Sequence, residues 1–549
     1  MTYPKIRIRF RTLASSLAIC LTLTCGIHLN ARPQHLVFTY HGDTSTSLTA
    51  NWQILGPNAT PAGDANVYYD TVSHNGDPTA YANSAKGLVS TIEGLNDRTI
   101  YRTQIDNLQA DTCYYVIVGN TDQGYSKEVK VRTIPNDDSE LRFVTGGDMG
   151  TSDATRILLR HAASHAPQFA VIGGDIAYAN GKLQSVNAWD TWLNYYTEEM
   201  VTPDGFQIPL VLAIGNHEVR GAYNQPKSAA PFFFGFFGQD PEHSYFTRMF
   251  GESFVLHVLD TGHIASHESQ VDWLVQQLET TRSVRHRAAV YHVPLYPSHR
   301  DKMTWYSQQG RTYWAPLFDE FELTVAFENH DHTYKRSHPI KFGEPTADGS
   351  GTLYLGDGCW GRSPRGIDYF DRDYLVQSGS IQHFWLVDVS PKTMKYRAID
   401  IDNRVFDIYP ANETEAAQAQ QVFNQKEQLY DLPDGSVHIS KMMCDSPIWH
   451  AGQTTVTLKN VFEFPITAQL IPYFPSNVRI QNESVLHTLT LQAEESIELT
   501  LELSTNSETG YKTGEINFYL GVQLHSAATD SKLSFKKTFG IKAQTPAEN

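Results

Sequence analysis

The sequence predicts a multidomain protein: a central α/β domain over residues 140–410, with an N-terminal all-β sandwich at 34–134 and a C-terminal all-β sandwich at 436–545. Three observations predict it. At 549 residues the chain exceeds what one hydrophobic core supports, so two to four domains are expected. Between 140 and 410 short apolar runs alternate with stretches of helical spacing, the pattern of a layered α/β fold. On either side the period drops to two residues, the mark of strands with unlike faces.

Residues 1–31 begin basic (Lys5, Arg7, Arg9, Arg11), stay apolar from Leu13 to Leu29 and reach Ala31 before Arg32-Pro33. That is the pattern of a secretory signal peptide, so an exported protein is expected, whether periplasmic, cell-surface or secreted. The apolar stretch is short and broken by Ser and Thr, which argues against a transmembrane helix, and no other stretch is long enough for one. Thr22 and Thr24 fit a lipidation site at Cys25 poorly. With residues 1–31 removed, three cysteines remain (Cys113, Cys359 and Cys444), too few and too widely spaced for a disulfide framework. Cys113 reads as a small core residue.

In residues 34–134, Leu48, Ala50, Trp52 and Ile54 alternate with polar residues, and Thr112–Val118 is rich in aromatic and β-branched types. The runs Tyr101–Leu108 and Asp111–Tyr115 resemble the late strands of fibronectin type III-like domains. Pro135–Asp138 is a plausible boundary. In the central domain, helices are expected over Asp153–His165, Ser185–Glu199 and Ser269–Thr281. A helical linker follows at 411–433, ended by a turn at Pro433-Asp434-Gly435. In the last domain Ile497, Leu499, Leu501 and Leu503 alternate with Glu498, Thr500 and Glu502, a strand with one wet face.

The formal net charge is −17, which disfavours extended binding to nucleic acid or anionic membranes. A local positive site could still attract a small phosphorylated substrate. Five motifs that supply metal ligands sit at the ends of apolar runs. Asp148-Met149-Gly150 follows Leu141–Thr145, and Gly174-Asp175-Ile176-Ala177-Tyr178 follows Phe169–Ile172. Gly215-Asn216-His217-Glu218 follows Ile208–Ile214, His292 closes Arg287–Tyr291, and His330-Asp331-His332 follows Leu323–Phe327. In layered α/β folds chemistry gathers where strand ends meet.

Together these residues offer about what two adjacent metal ions need. Two cations would ionise a water and clamp phosphoryl oxygens, which is the requirement of phosphate-ester hydrolysis. Asp148, Asp175, Tyr178 and His332 make one ligand set, and Asp175, Asn216, His292 and His330 the other, with Asp175 bridging. A phenolate from Tyr178 suits a trivalent ion such as Fe(III). His217 is a candidate to protonate the leaving group, and His299 a candidate to face substrate. Arg300, Arg362 and Arg365 could contact phosphate or be ordinary surface arginines. The loop Pro231–Gly238, with five phenylalanines, is expected to decide which leaving group fits.

These five motifs, in this order, resemble those of the calcineurin-like metallophosphoesterases, and Tyr178 points to the purple acid phosphatase branch, over roughly residues 34–400. The resemblance implies a sheet sandwich flanked by helices (αββα) behind a fibronectin-like domain. It implies Fe(III) with a divalent Fe, Zn or Mn, hydrolysis of phosphomonoesters by metal-bound hydroxide, and His217 assisting the leaving group. Three departures stand out. Glu328-Asn329 precedes His330 where the family has Gly, and Asn is expected to take the left-handed backbone that Gly would allow. Ala289 replaces Val, and the paired histidines of some members are reduced to His299 beside Arg300. Two alternatives to a phosphomonoesterase are a phosphodiesterase or nucleotide hydrolase on the same site, and a non-catalytic surface binding protein.

Overall fold

A computed structural model describes residues 32–543, apart from 57–62, 347–349, 367–371, 441, 445–447, 461, 463, 475–476, 508, 513–516 and 527–530. The expected signal segment, 1–31, lies outside the described residues. Among the described residues no helix is long and apolar enough to cross a membrane.

Two sheets packed face to face form the centre. In the first, parallel strands Leu141–Gly146, Phe169–Ile172 and Leu210–Leu212 adjoin antiparallel His383–Val389, Met394–Asp400 and Val405–Tyr409. In the second, Phe254–Val258, His286–Val290, Val325–Phe327 and Leu353–Gly356 run parallel, with antiparallel neighbours at the margins. Alternation divides each strand between two cores. Phe143, Phe169 and Val211 face inward to Phe254, Val290 and Phe327, with the Phe143 and Phe254 rings stacked at 5.2 Å. Val144, Ala170, Ile172 and Leu212 face outward, under the helices Asp153–Ser164 and Val186–Glu199. Ala289 and Ala326 face outward on the second sheet, in one cluster with residues of the helices Val271–Thr280 and Ala315–Glu320. The layers are therefore helix, sheet, sheet, helix. Strands covered on both faces read as unbroken apolar runs, which is why they stand out in the sequence.

The N-terminal region is β-rich and joins this scaffold directly: Gln34–Thr39 pairs in parallel with Leu210–Leu212 through Thr39 and Leu210. Leu48–Leu55 departs from the expected half-wet strand, because Thr49, Asn51 and Gln53 are buried as deeply as its apolar face. The central domain covers that polar face. Arg98 Nη1 donates to Gln53 (2.9 Å) and the same guanidinium holds Asp190, on the helix Val186–Glu199, at 2.5 and 3.0 Å. Arg102 donates to Asn51 (2.9 Å) and to the Gly235 carbonyl (2.8 Å).

The Pro231–Gly238 loop is part of this cover rather than a wall for the leaving group. A turn of π-helix, Phe233–Phe237, buries Phe236 and Phe237 against Trp189, with centroids 6.0 and 5.5 Å apart. So many phenyl rings gain more from a dry interface than from an open cleft. Cys113 is half-buried rather than core.

Beyond the centre, Asn412 caps the helix Glu413–Ser436 reciprocally with Glu415. The helix runs past Pro433, where a turn is expected. The C-terminal region is β-rich, with a four-stranded and a five-stranded sheet contributing to one apolar core around Val456, Leu501, Phe518 and Leu520.

Arg98 is 1% exposed and couples the two domains. Arg98→Ala leaves Asp190 and Gln53 without their partner and is expected to cost about 3–5 kcal/mol. Chemical denaturation checks this; a loss below about 0.5 kcal/mol, the level of an ordinary surface substitution, would show that the buried pair does not hold the domains together.

Candidate metal centre

All five motifs begin where a parallel strand runs out, and their backbones are unusual. Asp148 (φ 56°), Asp175 (52°), Tyr178 (60°), His330 (81°) and His332 (56°) are left-handed. Each such residue costs about 1–3 kcal/mol and persists only where its surroundings fix it. Here the loops fix one another. Asp148, Met149 and Gly150 donate N–H to the carbonyls of Gly174 (3.1 Å), Asp175 (3.0 Å) and Ile176 (2.8 Å). His332 N donates to the Asp357 carbonyl at 3.0 Å.

Buried Glu218 supplies the central clasp. Its Oε2 accepts from Asp175 N (2.7 Å) and Gly215 N (2.8 Å), and Oε1 from Ile176 N (2.8 Å). Gly173 permits a further close approach: a Cβ there would lie 1.8 Å from Asn329 Nδ2. Asn329 therefore does not take the left-handed backbone expected of it, which falls on His330. Its side chain instead packs against the glycine loops and donates to the Tyr291 carbonyl at 3.0 Å.

Seven predicted ligands fall into two adjacent groups. In one, His332 Nε2 lies 3.0 Å from both Asp148 Oδ1 and Tyr178 Oη, and Tyr178 Oη lies 3.3 Å from Asp148 Oδ1. In the other, His292 Nε2 lies 3.0 Å from His330 Nδ1, 3.1 Å from Asn216 Oδ1 and 3.2 Å from Asp175 Oδ2. Asp175, His292 and His330 each offer a ligand atom within 4.8 Å of the others. His330 N donates to Asp148 Oδ2 at 2.7 Å, tying the groups together.

The chemistry of these donors fits a cation. His292 Nδ1 donates to the Gly173 carbonyl at 2.9 Å, which turns a lone pair at Nε2 toward three other acceptors. Without a cation the cluster can relieve itself only by taking up a proton. Burial opposes charge on His292, but Asp175 and Asp148 overcome it and lift its pKa to about 9. Burial likewise opposes charge on Asp175, and His292, His217 and His330 outweigh it, holding the carboxyl far below its usual range. Burial, with Asp148 and Asp175 beside it, pushes the Tyr178 phenol well up, so only a strong Lewis acid would ionise it.

His217 stands beside both groups. Its N–H donates to Asp175 Oδ1 (2.8 Å), its Nε2 lies 3.7 Å from Asp175 Oδ2, and its ring lies 4.1 Å from that of Tyr178. His299 is not brought into either group: its Nδ1 donates to the Gly366 carbonyl at 2.7 Å. Sequence reasoning missed the supports. Asn180 Oδ1 accepts from His217 Nδ1. Asp331, fully buried, accepts from the N–H groups of His299 (2.8 Å) and Arg300 (3.0 Å). Lys335, also fully buried, pairs with Glu328 and with Asp357 (2.8 Å) beneath the ligand loops.

Residues 33–133 match the family described as purple acid phosphatase, N-terminal domain, and residues 141–334 match the calcineurin-like phosphoesterases. Over residues 33–334 the chain is similar, domain by domain and in the same order, to the purple acid phosphatases. Every predicted metal ligand lies inside the second match. Probable purple acid phosphatase 20 of Arabidopsis thaliana is 26% identical over 322 residues, 53% of this chain and 67% of that protein. Phosphoenolpyruvate phosphatase of Allium cepa is 23% identical over 296 residues, 51% and 58% of the two chains. The chain thus spans between 58% and 67% of these relatives' length. In fold it is similar to purple acid phosphatase PPD1 from yellow lupin (Lupinus luteus) seeds, with a TM-score of 0.56, 17% identity and coverage of 69% and 74%. The calcineurin-like phosphoesterase match implies a dimetal centre, and the two donor groups are where this chain can hold it.

Glu218→Ala removes the acceptor of three buried amides without touching a ligand. Metal affinity is expected to fall by roughly 10–100-fold, measured by competition with a chelator of known affinity. Unchanged affinity would mean that the strained loops hold themselves.

Proposed function

We propose that the chain is a binuclear metal-dependent phosphatase, exported by way of residues 1–31, that hydrolyses phosphomonoesters. The observation that carries this reading is the pair of adjacent donor groups with His217 at their edge. The bound ions would supply a nucleophile and neutralise charge on the phosphoryl oxygens. Asp148, Tyr178 and His332 would hold Fe(III), matched to a phenolate. Asn216, His292 and His330 would hold a divalent Fe, Zn or Mn, with Asp175 shared between the two.

The protein's own part is to position and to move a proton. Asn180 accepts from His217 Nδ1, which leaves Nε2 as the atom that gives a proton to the departing oxygen. Burial lowers the His217 pKa and outweighs the attraction of Asp175. A group that must be protonated to act, with a lowered pKa, is active on the acid side and fails as the pH rises through that pKa. The backbone N–H of His217 on Asp175 fixes the ring relative to the shared ligand.

His217→Ala is expected to lower kcat by roughly 10²–10⁴-fold with metal content unchanged. It should also flatten the alkaline limb of the kcat profile for substrates with poor leaving groups. Lost metal in this variant would make His217 a ligand, and an unchanged kcat would end its role as an acid.

A further inference from the structure

His263 belongs to neither donor group, yet it is fully buried beside one of them, with its ring 5.7 Å from that of His292. Its Nδ1 lies 2.9 Å from the Ala222 carbonyl and its Nε2 lies 3.1 Å from Thr261 Oγ1. A carbonyl only accepts, so Nδ1 carries the proton and Nε2 accepts from the Thr261 hydroxyl. Burial keeps the ring in that neutral form by lowering its pKa to about 3. Both ring nitrogens are therefore committed, one to each of two loops.

Each of the two bonds leads to a metal-ligand residue. On one side, Ala222 N donates to the Val219 carbonyl (3.2 Å), and Val219 N to the Asn216 carbonyl (3.4 Å). On the other, Thr261 Oγ1 accepts from Val293 N at 3.1 Å, the amide that follows His292. The residues joined in this way stand 76 positions apart in the chain, and their side chains meet at 3.1 Å. None of these bonds reaches Asp148, Tyr178 or His332.

The loop on the Asn216 side needs such a hold. Ala222 (φ 68°) and Asn224 (φ 54°) are left-handed, a backbone that persists only where its surroundings fix it. Asn224 N donates to the Gly262 carbonyl (2.9 Å) and Gln225 N to the His263 carbonyl (3.0 Å). Between them the Tyr223 ring stacks on His263 at 4.8 Å and on Tyr306 at 3.9 Å. His263 is itself anchored from behind. Its N–H donates to Asp260 Oδ1 at 2.7 Å, while Asp260 Oδ2 accepts from Ile264 N and Ala265 N, both at 2.9 Å, and from Ser244 Oγ at 2.6 Å. A histidine that only filled the core would be satisfied by any donor and acceptor. This one takes its pair from the two loops whose ligands must meet.

We infer that His263 is a positioning residue for the second donor group, holding Asn216 and His292 at the separation that one divalent ion requires. The inference rests on the binuclear reading and assigns the support of one of its two sites. His263→Phe keeps a ring against Tyr223 and loses both bonds. His263→Asn places an amide N–H near the position of Nδ1 and restores the bond to Ala222.

The test titrates zinc against a chelator of known affinity in wild type and both variants. Wild type is expected to take up two ions. In His263→Phe the affinity for one of them should fall by roughly 10–100-fold while the other is unchanged, and His263→Asn should recover part of the loss. Equal weakening of both ions with a lowered unfolding midpoint would make His263 a general structural residue and overturn the inference. Unchanged affinity for both would overturn it as well. Hydrogen exchange on the protein as purified gives a readout apart from metal binding: the amides of 219–225 should exchange faster in His263→Phe, and those of 148–150 should not. Exchange unaltered at 219–225 would also overturn the inference. A wild type that binds fewer than two ions, with the exchange difference intact, would sink the binuclear reading and leave His263 standing as the link between the two loops.

Discussion

Carboxylates and imidazole lone pairs do not gather of their own accord in a space that water barely reaches. Asp148, Asp175, His292 and His330 are buried and point at one another, so the centre is destabilising until a cation or a proton joins it. The surrounding structure is arranged to hold that conflict in place. Two face-to-face sheets supply strand ends from opposite sides, left-handed turns aim the side chains inward, and Glu218 locks two of those turns through three amides. Strain of this kind persists where the scaffold over-determines it, and the dense apolar clusters under both sheets are that scaffold.

The flanking β-rich region is bound into the same construction. Its first strand extends the central sheet, and its polar face is covered by Arg98, Arg102 and a phenylalanine-rich turn. That explains why a strand with every second residue polar is buried throughout. Gln53 and Asn51 meet Arg98 and Arg102 of the neighbouring strand, which in turn bind Asp190 and Gly235 across the domain boundary, and nothing in a local period of two distinguishes such partners from water.

Much of the site was legible because its chemistry is local. The candidate ligands are oxygen- and nitrogen-bearing residues, and Asp148, Asp175, Asn216, His292, His330 and His332 all stand shortly after apolar runs. The layered α/β centre was legible for the same reason, since strands buried on both faces are continuous in hydrophobicity. What escaped was set by partners far away in the chain. Glu218 looks like the tail of a motif until it is seen under Asp175 and Ile176, 43 and 42 residues distant. The phenylalanines of 231–238 suggested a substrate wall, yet they pack against Trp189. Asn329 was read through its tolerance of left-handed backbone, whereas its size between glycines is what the structure uses.

Whether the two donor groups hold two unlike ions is decided most directly by elemental analysis and a visible absorption spectrum on one sample of purified protein. The account predicts two metals per chain, at least one of them iron, and a purple tyrosinate-to-iron band that Tyr178→Phe abolishes or shifts. A protein that carries fewer than two metals after reconstitution, or a band indifferent to Tyr178→Phe, would contradict it.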